Sequence, residues 1–194
     1  GLGDVYKRQE NIPYIDYMSD LLRLIEEKTQ THALRESGAL RKMDQHYFQR
    51  IEAMEFSVKY DDGKVFDGIE DADAVILGVS RTSKTPLSMY LANKGYKIAN
   101  IPLVPEAPIP EEVFSKKMLV FGLTASPDYI MNIRTQRIRV LGMKGSANYN
   151  SLQRIKQELS YAEEVFDKFN ATVINTEYKS IEESAFYIEK YLNK

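Results

Sequence analysis

Apolar residues recur every three or four positions in some stretches of the chain and form short unbroken runs in others, which predicts helices and buried strands respectively. Ile15, Met18, Leu21, Leu22 and Ile25 predict an amphipathic helix over 15–25, entered after Pro13. A second helix is expected over 44–58, with Tyr47, Ile51, Met54 and Val58 along one stripe, and the polar stretch 30–42 between them reads as irregular. Asp61-Asp62-Gly63 is a turn signal. The run Ala74-Val75-Ile76-Leu77 that follows is too short for a helix and reads as a buried strand. From there the two patterns trade places: a helix over 84–93 closed by Gly95, a strand over 98–103, a proline-rich loop through Pro110, and a strand over 118–123. Ser126-Pro127-Asp128 carries a capping serine, a proline suited to the first turn and an acid suited to the positive helix end, so a helix to residue 141 is expected there. After a glycine-bearing loop over 142–150, a long helix to 169 puts Leu152, Ile155, Leu159, Ala162, Val165 and Phe166 inward. A strand over 172–175 comes next. Ser180 and Glu183 have capping-box spacing and open a last helix whose apolar face is Ile181, Ala185, Ile188 and Leu192. Strands alternating with helices imply an α/β fold, with a mainly parallel sheet covered on both faces.

Composition narrows the partners. With 194 residues and 43% hydrophobic side chains, the chain suits one compact domain plus an appendage. A net charge of -2 offers no basic face for nucleic acid and no polybasic run for a membrane surface. No apolar run approaches the roughly 20 residues needed to cross a bilayer. The absence of cysteine removes disulfides and thiolate metal sites and fits a reducing compartment, so a cytoplasmic protein is expected. Residues 1–9 (GLGDVYKRQ) lack an initiating methionine, a period and a cap, which reads as a scar on a fragment missing its N-terminal part. The expected organisation is a scar or disordered start over 1–10, a helical remnant of an N-terminal region over 11–64, and a nucleotide-binding domain over 65–194.

The chemistry concentrates in Gly78-Val79-Ser80-Arg81-Thr82-Ser83-Lys84-Thr85. Its spacing, G-x-x-x-x-S-K-T, differs from the P-loop pattern G-x-x-x-x-G-K-[ST] at Ser83 alone. A buried strand leads in and a helix starts at Lys84, so backbone N–H groups and a helix N-terminus would converge on phosphate. Pro86 fits the first helical turn. Lys84 is expected to set its ammonium against the transferred phosphoryl group, Thr85 to offer its hydroxyl to a magnesium ion, and Arg81 to add a cation. The competing reading is an ordinary strand-to-helix turn with solvated cations, and Ser83 weighs slightly towards it because a side chain stands where backbone usually needs room. The loop therefore predicts a P-loop kinase-like fold. The strand over 118–123 runs into Gly122-Leu123-Thr124 and supplies no aspartate for a metal. Asp61 and Asp62 could serve as metal ligand or general base, or could simply be turn residues, and by elimination Asp62 is the expected catalytic carboxylate. Arg134, Arg137 and Arg139 read either as phosphate-gripping lid arginines or as a solvated basic face. His32 and His46 have no partner at metal spacing and read as surface or packing residues.

The stretch Ile76 to Ala92 (ILGVSRTSKTPLSMYLA) resembles the signature of the bacterial pyruvate, phosphate dikinase regulatory proteins. Tyr47-Phe48-Gln49-Arg50-Ile51-Glu52-Ala53-Met54-Glu55-Phe56, Lys59-Tyr60-Asp61-Asp62-Gly63, Ala99-Asn100-Ile101-Pro102-Leu103-Val104-Pro105-Glu106 and Phe121-Gly122-Leu123-Thr124 are similar too, so the resemblance runs from about Asn11 to the end. Serine at the Ser83 position is a common variant in that family. The resemblance implies a bifunctional enzyme: ADP-dependent phosphorylation of a threonine in the dikinase, which inactivates it, and phosphate-dependent removal of that group as pyrophosphate. A sister subgroup acts on phosphoenolpyruvate synthase, and the Arg-Thr-Ser-Lys-Thr form of the loop favours the dikinase. The expected ligands are ADP as donor, inorganic phosphate as acceptor and Mg2+. The alternatives are a small-molecule P-loop kinase and an ADP-binding module inactive as a fragment, and self-association is left open.

Overall fold

A computed structural model describes residues 18–33, 45–107, 109–110, 118–140 and 151–193. The chain divides into two compact units, Gly1–Asp44 and Gln45–Lys194. In the first, helix α1 spans Ser19–Thr29 and ends at Gln30 in the left-handed conformation. It buries none of its residues: Met18, Leu21 and Ile25 of the expected stripe are exposed. Residues 15–17 and most of the irregular stretch expected over 30–42 lie outside the described residues.

The second unit is built on four parallel strands: β1 (Ala74–Gly78), β2 (Ile98–Pro102), β3 (Leu119–Thr124) and β4 (Thr172–Asn175), in the order β2-β1-β3-β4. Every residue of β1 is buried, as expected of a central parallel strand covered on both faces. Its side chains alternate between two cores. Val75 and Leu77 join Ile130, Ile155, Ala162 and Phe166 on one face. Ala74 and Ile76 join Leu87, Leu91, Ala185 and Ile188 on the other. The helices supplying those residues are α3 (Lys84–Ala92), α4 (Pro127–Val140), α5 (Leu152–Lys168) and α6 (Ile181–Leu192). Gly122 lets α5 approach, because a Cβ there would stand 2.6 Å from the Phe166 ring. The Ser180–Glu183 capping box opens α6, with both reciprocal hydrogen bonds formed. Residue 141 and the loop over 142–150 lie outside the described residues. Among those described, no helix is long and apolar enough to cross a membrane.

Helix α2 (Gln45–Lys59) forms where its pattern predicts, and its fully buried residues are the small ones beside the apolar stripe. Ala53 and Ser57 are its buried residues, whereas Val58 is 63% exposed. The reason lies at the sheet edge. β2 is an edge strand whose outer N–H groups need acceptors. Ser57 Oγ accepts from Ile98 N (3.1 Å), and Tyr60 O, just past the helix, accepts from Asn100 N (3.0 Å). Small residues allow the close approach those bonds require, while of the apolar stripe Tyr47, Ile51 and Met54 are half-buried and Val58 is exposed.

Candidate phosphate-binding site

The connection from β1 leads to β2 on one side, and the connection from β2 crosses to β3 on the other. The carboxyl ends of β1 and β3 thus form a topological switch point, the crevice where open α/β sheets bind ligands. The loop Gly78–Thr85 lies there. Gly78 must be glycine, since an added Cβ would meet Leu123 O at 2.7 Å and Thr82 Oγ1 at 2.9 Å. Arg81 (φ 76°) and Ser83 (φ 63°) are left-handed, bending the backbone into the concave form in which N–H groups can converge on an anion. This explains why glycine is usual at the Ser83 position: for a residue with a Cβ the conformation costs about 1–2 kcal/mol. The Ser83 side chain does not cap α3, so the first N–H groups of that helix stay available to a ligand.

Thr82 is buried, and its Oγ1 donates to Val79 O (2.9 Å), closing the loop from inside. Lys84 is 8% exposed and its Nζ donates to the same carbonyl at 2.9 Å. Burial pushes its pKa down to about 8, opposed by Asp62 and Asp61 and assisted by Arg81 and Arg134.

Of the two aspartates of the turn, Asp61 bonds the loop and Asp62 acts on it through its charge. Asp62 (φ 65°) and Gly63 (φ 60°) turn tightly, and the position of a Gly63 Cβ lies 3.2 Å from both Ile101 and Pro102, so the turn is pressed against the end of β2. Asp61 Oδ1 accepts from Thr85 Oγ1 (3.2 Å) and from Asn100 Nδ2, while Asn100 Nδ2 also donates to Thr85 Oγ1 (3.0 Å). Asp62 is exposed, and it is the largest source of charge stabilisation for the Lys84 ammonium. Asn100 is fully buried on β2, and its Oδ1 has no hydrogen-bond partner. Sequence reasoning passed over Asn100, yet a signal was present: a polar residue inside the apolar strand Ile98-Ala99-Asn100-Ile101 is buried for a reason. The strand next to Thr85 that supplies a polar side chain is β2, not the strand over 118–123.

Among the three arginines, Arg134 reaches the loop. It is fully buried, with one terminal nitrogen 2.5 Å from Glu158 Oε2 and 3.4 Å from Ser80 O. Arg137 and Arg139 are exposed on α4, as are His32 and His46 on their own segments. Arg154, Glu158 and Glu106 had no place in the sequence-based site. Arg154 bonds Glu158 at 3.0 Å and Glu106 at 2.5 and 2.6 Å. This chain of ions lines a cavity of about 710 Å³ that opens beside Ser80.

Thr85 and Asp61 present hydroxyl and carboxylate oxygens, held in place by the Asn100 Nδ2 that donates to both, and these hard donors suit a small divalent cation also held by substrate phosphates. Among the described residues no three His, Asp or Glu side chains gather into a self-sufficient metal cluster.

A parallel sheet with this loop at its switch point and a buried lysine beginning the following helix defines a P-loop kinase-like phosphotransferase. The chain belongs to the Kinase/pyrophosphorylase family, whose sequence profile matches residues 4–188. It is 69% identical over 191 residues to a Staphylococcus saprophyticus protein provisionally named pyruvate, phosphate dikinase regulatory protein 1, covering 98% of this chain and 70% of that one. A Staphylococcus epidermidis protein provisionally named regulatory protein 2 of the same kind is 69% identical over 194 residues, covering 100% and 71%. A Clostridioides difficile relative under the same provisional name is 53% identical over 183 residues, covering 93% and 65%.

Proposed function

We propose that the protein regulates pyruvate, phosphate dikinase by moving a phosphoryl group on and off one threonine of that enzyme. Forward, the threonine oxygen attacks the terminal phosphorus of ADP; the O–P bond forms, the bond to the bridging oxygen breaks, and AMP and a proton leave. In the other direction an oxygen of inorganic phosphate attacks the phosphothreonine phosphorus, pyrophosphate departs and the threonine oxygen regains a proton. The observation that carries this reading is the loop itself: one concave anion site with a buried lysine suits ADP, phosphate and pyrophosphate alike, in a chain whose relatives bear the regulator's name.

In this reading the N–H groups of residues 78–85 hold the phosphates, and the Lys84 ammonium stabilises charge on the phosphoryl group in transit. Mg2+ would be held by Thr85 and Asp61, where it would neutralise phosphate oxygens. The bond from Asn100 fixes the Asp61 carboxylate against the Thr85 hydroxyl. Asp62, exposed beside Lys84, accepts the threonine proton in one direction and returns it in the other. In this reading the protein works in the cytoplasm, where ADP and the dikinase would be met.

Donor choice tests the reading. Incubated with dikinase, the protein should label a dikinase threonine from β-labelled ADP and release pyrophosphate from the product once phosphate is added. Transfer from ATP alone, or to a small metabolite in place of the protein, contradicts it, and transfer confined to phosphoenolpyruvate synthase contradicts the choice of target.

A further inference from the structure

The cavity beside Ser80 extends beyond the phosphate loop, and its lining bears on what it takes. Its walls are the phosphate loop at Ser80, the segment after β2 at Leu103, Val104 and Glu106, and the first two turns of α5, with Arg134 at the back. It therefore meets the loop directly at Ser80, on the face of the sheet covered by α4 and α5. We propose that this cavity seats the polypeptide segment bearing the acceptor threonine, a reading that rests on the protein-kinase function above.

Charge decides against a phosphate chain. Arg134 and Arg154 are matched by Glu158 and Glu106, and each arginine is already bonded to a carboxylate. A polyanion entering would meet two carboxylates at close range and two cations already engaged, whereas the loop offers it Lys84 and free helix N–H groups. A nucleoside base fares no better, because the described lining carries no aromatic side chain to stack on it. A peptide segment fits what is there. Gln153 and Gln157 are exposed on α5 and line the cavity, and each amide can donate to a backbone C=O and accept from a backbone N–H. Val104, 38% exposed, gives apolar surface for the threonine methyl or an aliphatic neighbour. At about 710 Å³ the cavity exceeds what one side chain fills.

The placement also accounts for Arg134. The same guanidinium nitrogen faces Glu158 in the cavity wall and Ser80 O in the phosphate loop, so a segment seated against Glu158 is linked through one rigid group to the loop that holds the donor. Because the acceptor in one direction is the phosphorylated substrate in the other, both reactions use the same seat.

The test fills the cavity and reads two affinities. Gln157→Trp and Val104→Trp should each raise the KM for dikinase in the forward reaction and for phosphodikinase in the reverse at least tenfold, while the Kd for ADP stays within twofold of the unaltered protein, the melting temperature is preserved, and the control Lys156→Ala on the outer face of α5 changes neither KM. An unchanged dikinase KM in both filled variants overturns this proposal alone. Weakened ADP binding with unchanged dikinase KM makes the cavity a nucleoside subsite and overturns it as well. Failure of the unaltered protein to modify dikinase at all overturns the parent reading, and this one with it.

Discussion

Lys84 is a cation kept where a cation is costly. The gap between its ordinary 10.5 and about 8 corresponds to about 3 kcal/mol of destabilisation while the group is charged. The unfolded chain binds the extra proton between these values, so stability rises as pH climbs from about 8 to 10.5, and the full penalty is present below 8. Lys84→Met, which fills similar volume without charge, should therefore be more stable than the unaltered protein at pH 7 by about 1–3 kcal/mol in urea unfolding, and the difference should shrink towards pH 10. An equal or lower stability at pH 7 would mean that the hydrogen bond to Val79 outweighs burial. Binding follows the opposite course: pyrophosphate affinity should fall as pH rises through about 8, and Lys84→Arg should remove that fall.

The two aspartates separate at the same scale. Asp61→Asn removes the carboxylate held by Asn100 and Thr85 and should raise the Mg2+ concentration needed for half-maximal rate. Asp62→Asn should leave that requirement and ADP binding nearly intact while lowering transfer in both directions. Full activity in the Asp62 variant would reduce it to a turn residue. Sequence spacing made Lys84 and Thr85 legible because the loop places them by local geometry alone. It could not separate Asp61 from Asp62, because what distinguishes them is Asn100 across the fold on β2.

Among the elements, those defined by local signals read most clearly. The capping box of α6 and the unbroken apolar run of β1 carry their own instructions, and both stand where the sequence put them. Helix α2 shows the limit of the method. Its period was legible, but the full burial of Ala53 and Ser57 beside a half-buried apolar stripe was not, because it follows from the hydrogen-bonding needs of an edge strand. Ser57→Ala should thus cost about 1–3 kcal/mol by leaving the buried Ile98 N–H without its acceptor, whereas Val58→Ala should change stability by less than about 0.5 kcal/mol. Chemical denaturation of the two variants side by side checks this. A larger loss at Val58 would restore the face that the apolar stripe suggests. Arg134 is the same lesson in polar form: periodicity put three arginines on one helix, and only tertiary packing buries one of them against Glu158 and the loop.

For the whole molecule, alternation of strands and helices was enough to imply a parallel sheet covered on both faces, and family membership agrees with the motif that suggested it. Strand order was beyond the sequence, and it matters, because the switch point between β1 and β3 fixes where the phosphate loop lies and sets β2, with Asn100, beside Thr85. The central claim is that one loop serves two opposed transfers. Its most direct test is the rate of each in Lys84→Ala: ADP-dependent phosphorylation of dikinase, and phosphate-dependent release of pyrophosphate from phosphodikinase. A shared pocket predicts that both fall together by about 10²-fold or more, as loss of a preorganised charge contact in the transition state requires. A variant that keeps either rate at the level of the unaltered protein contradicts it.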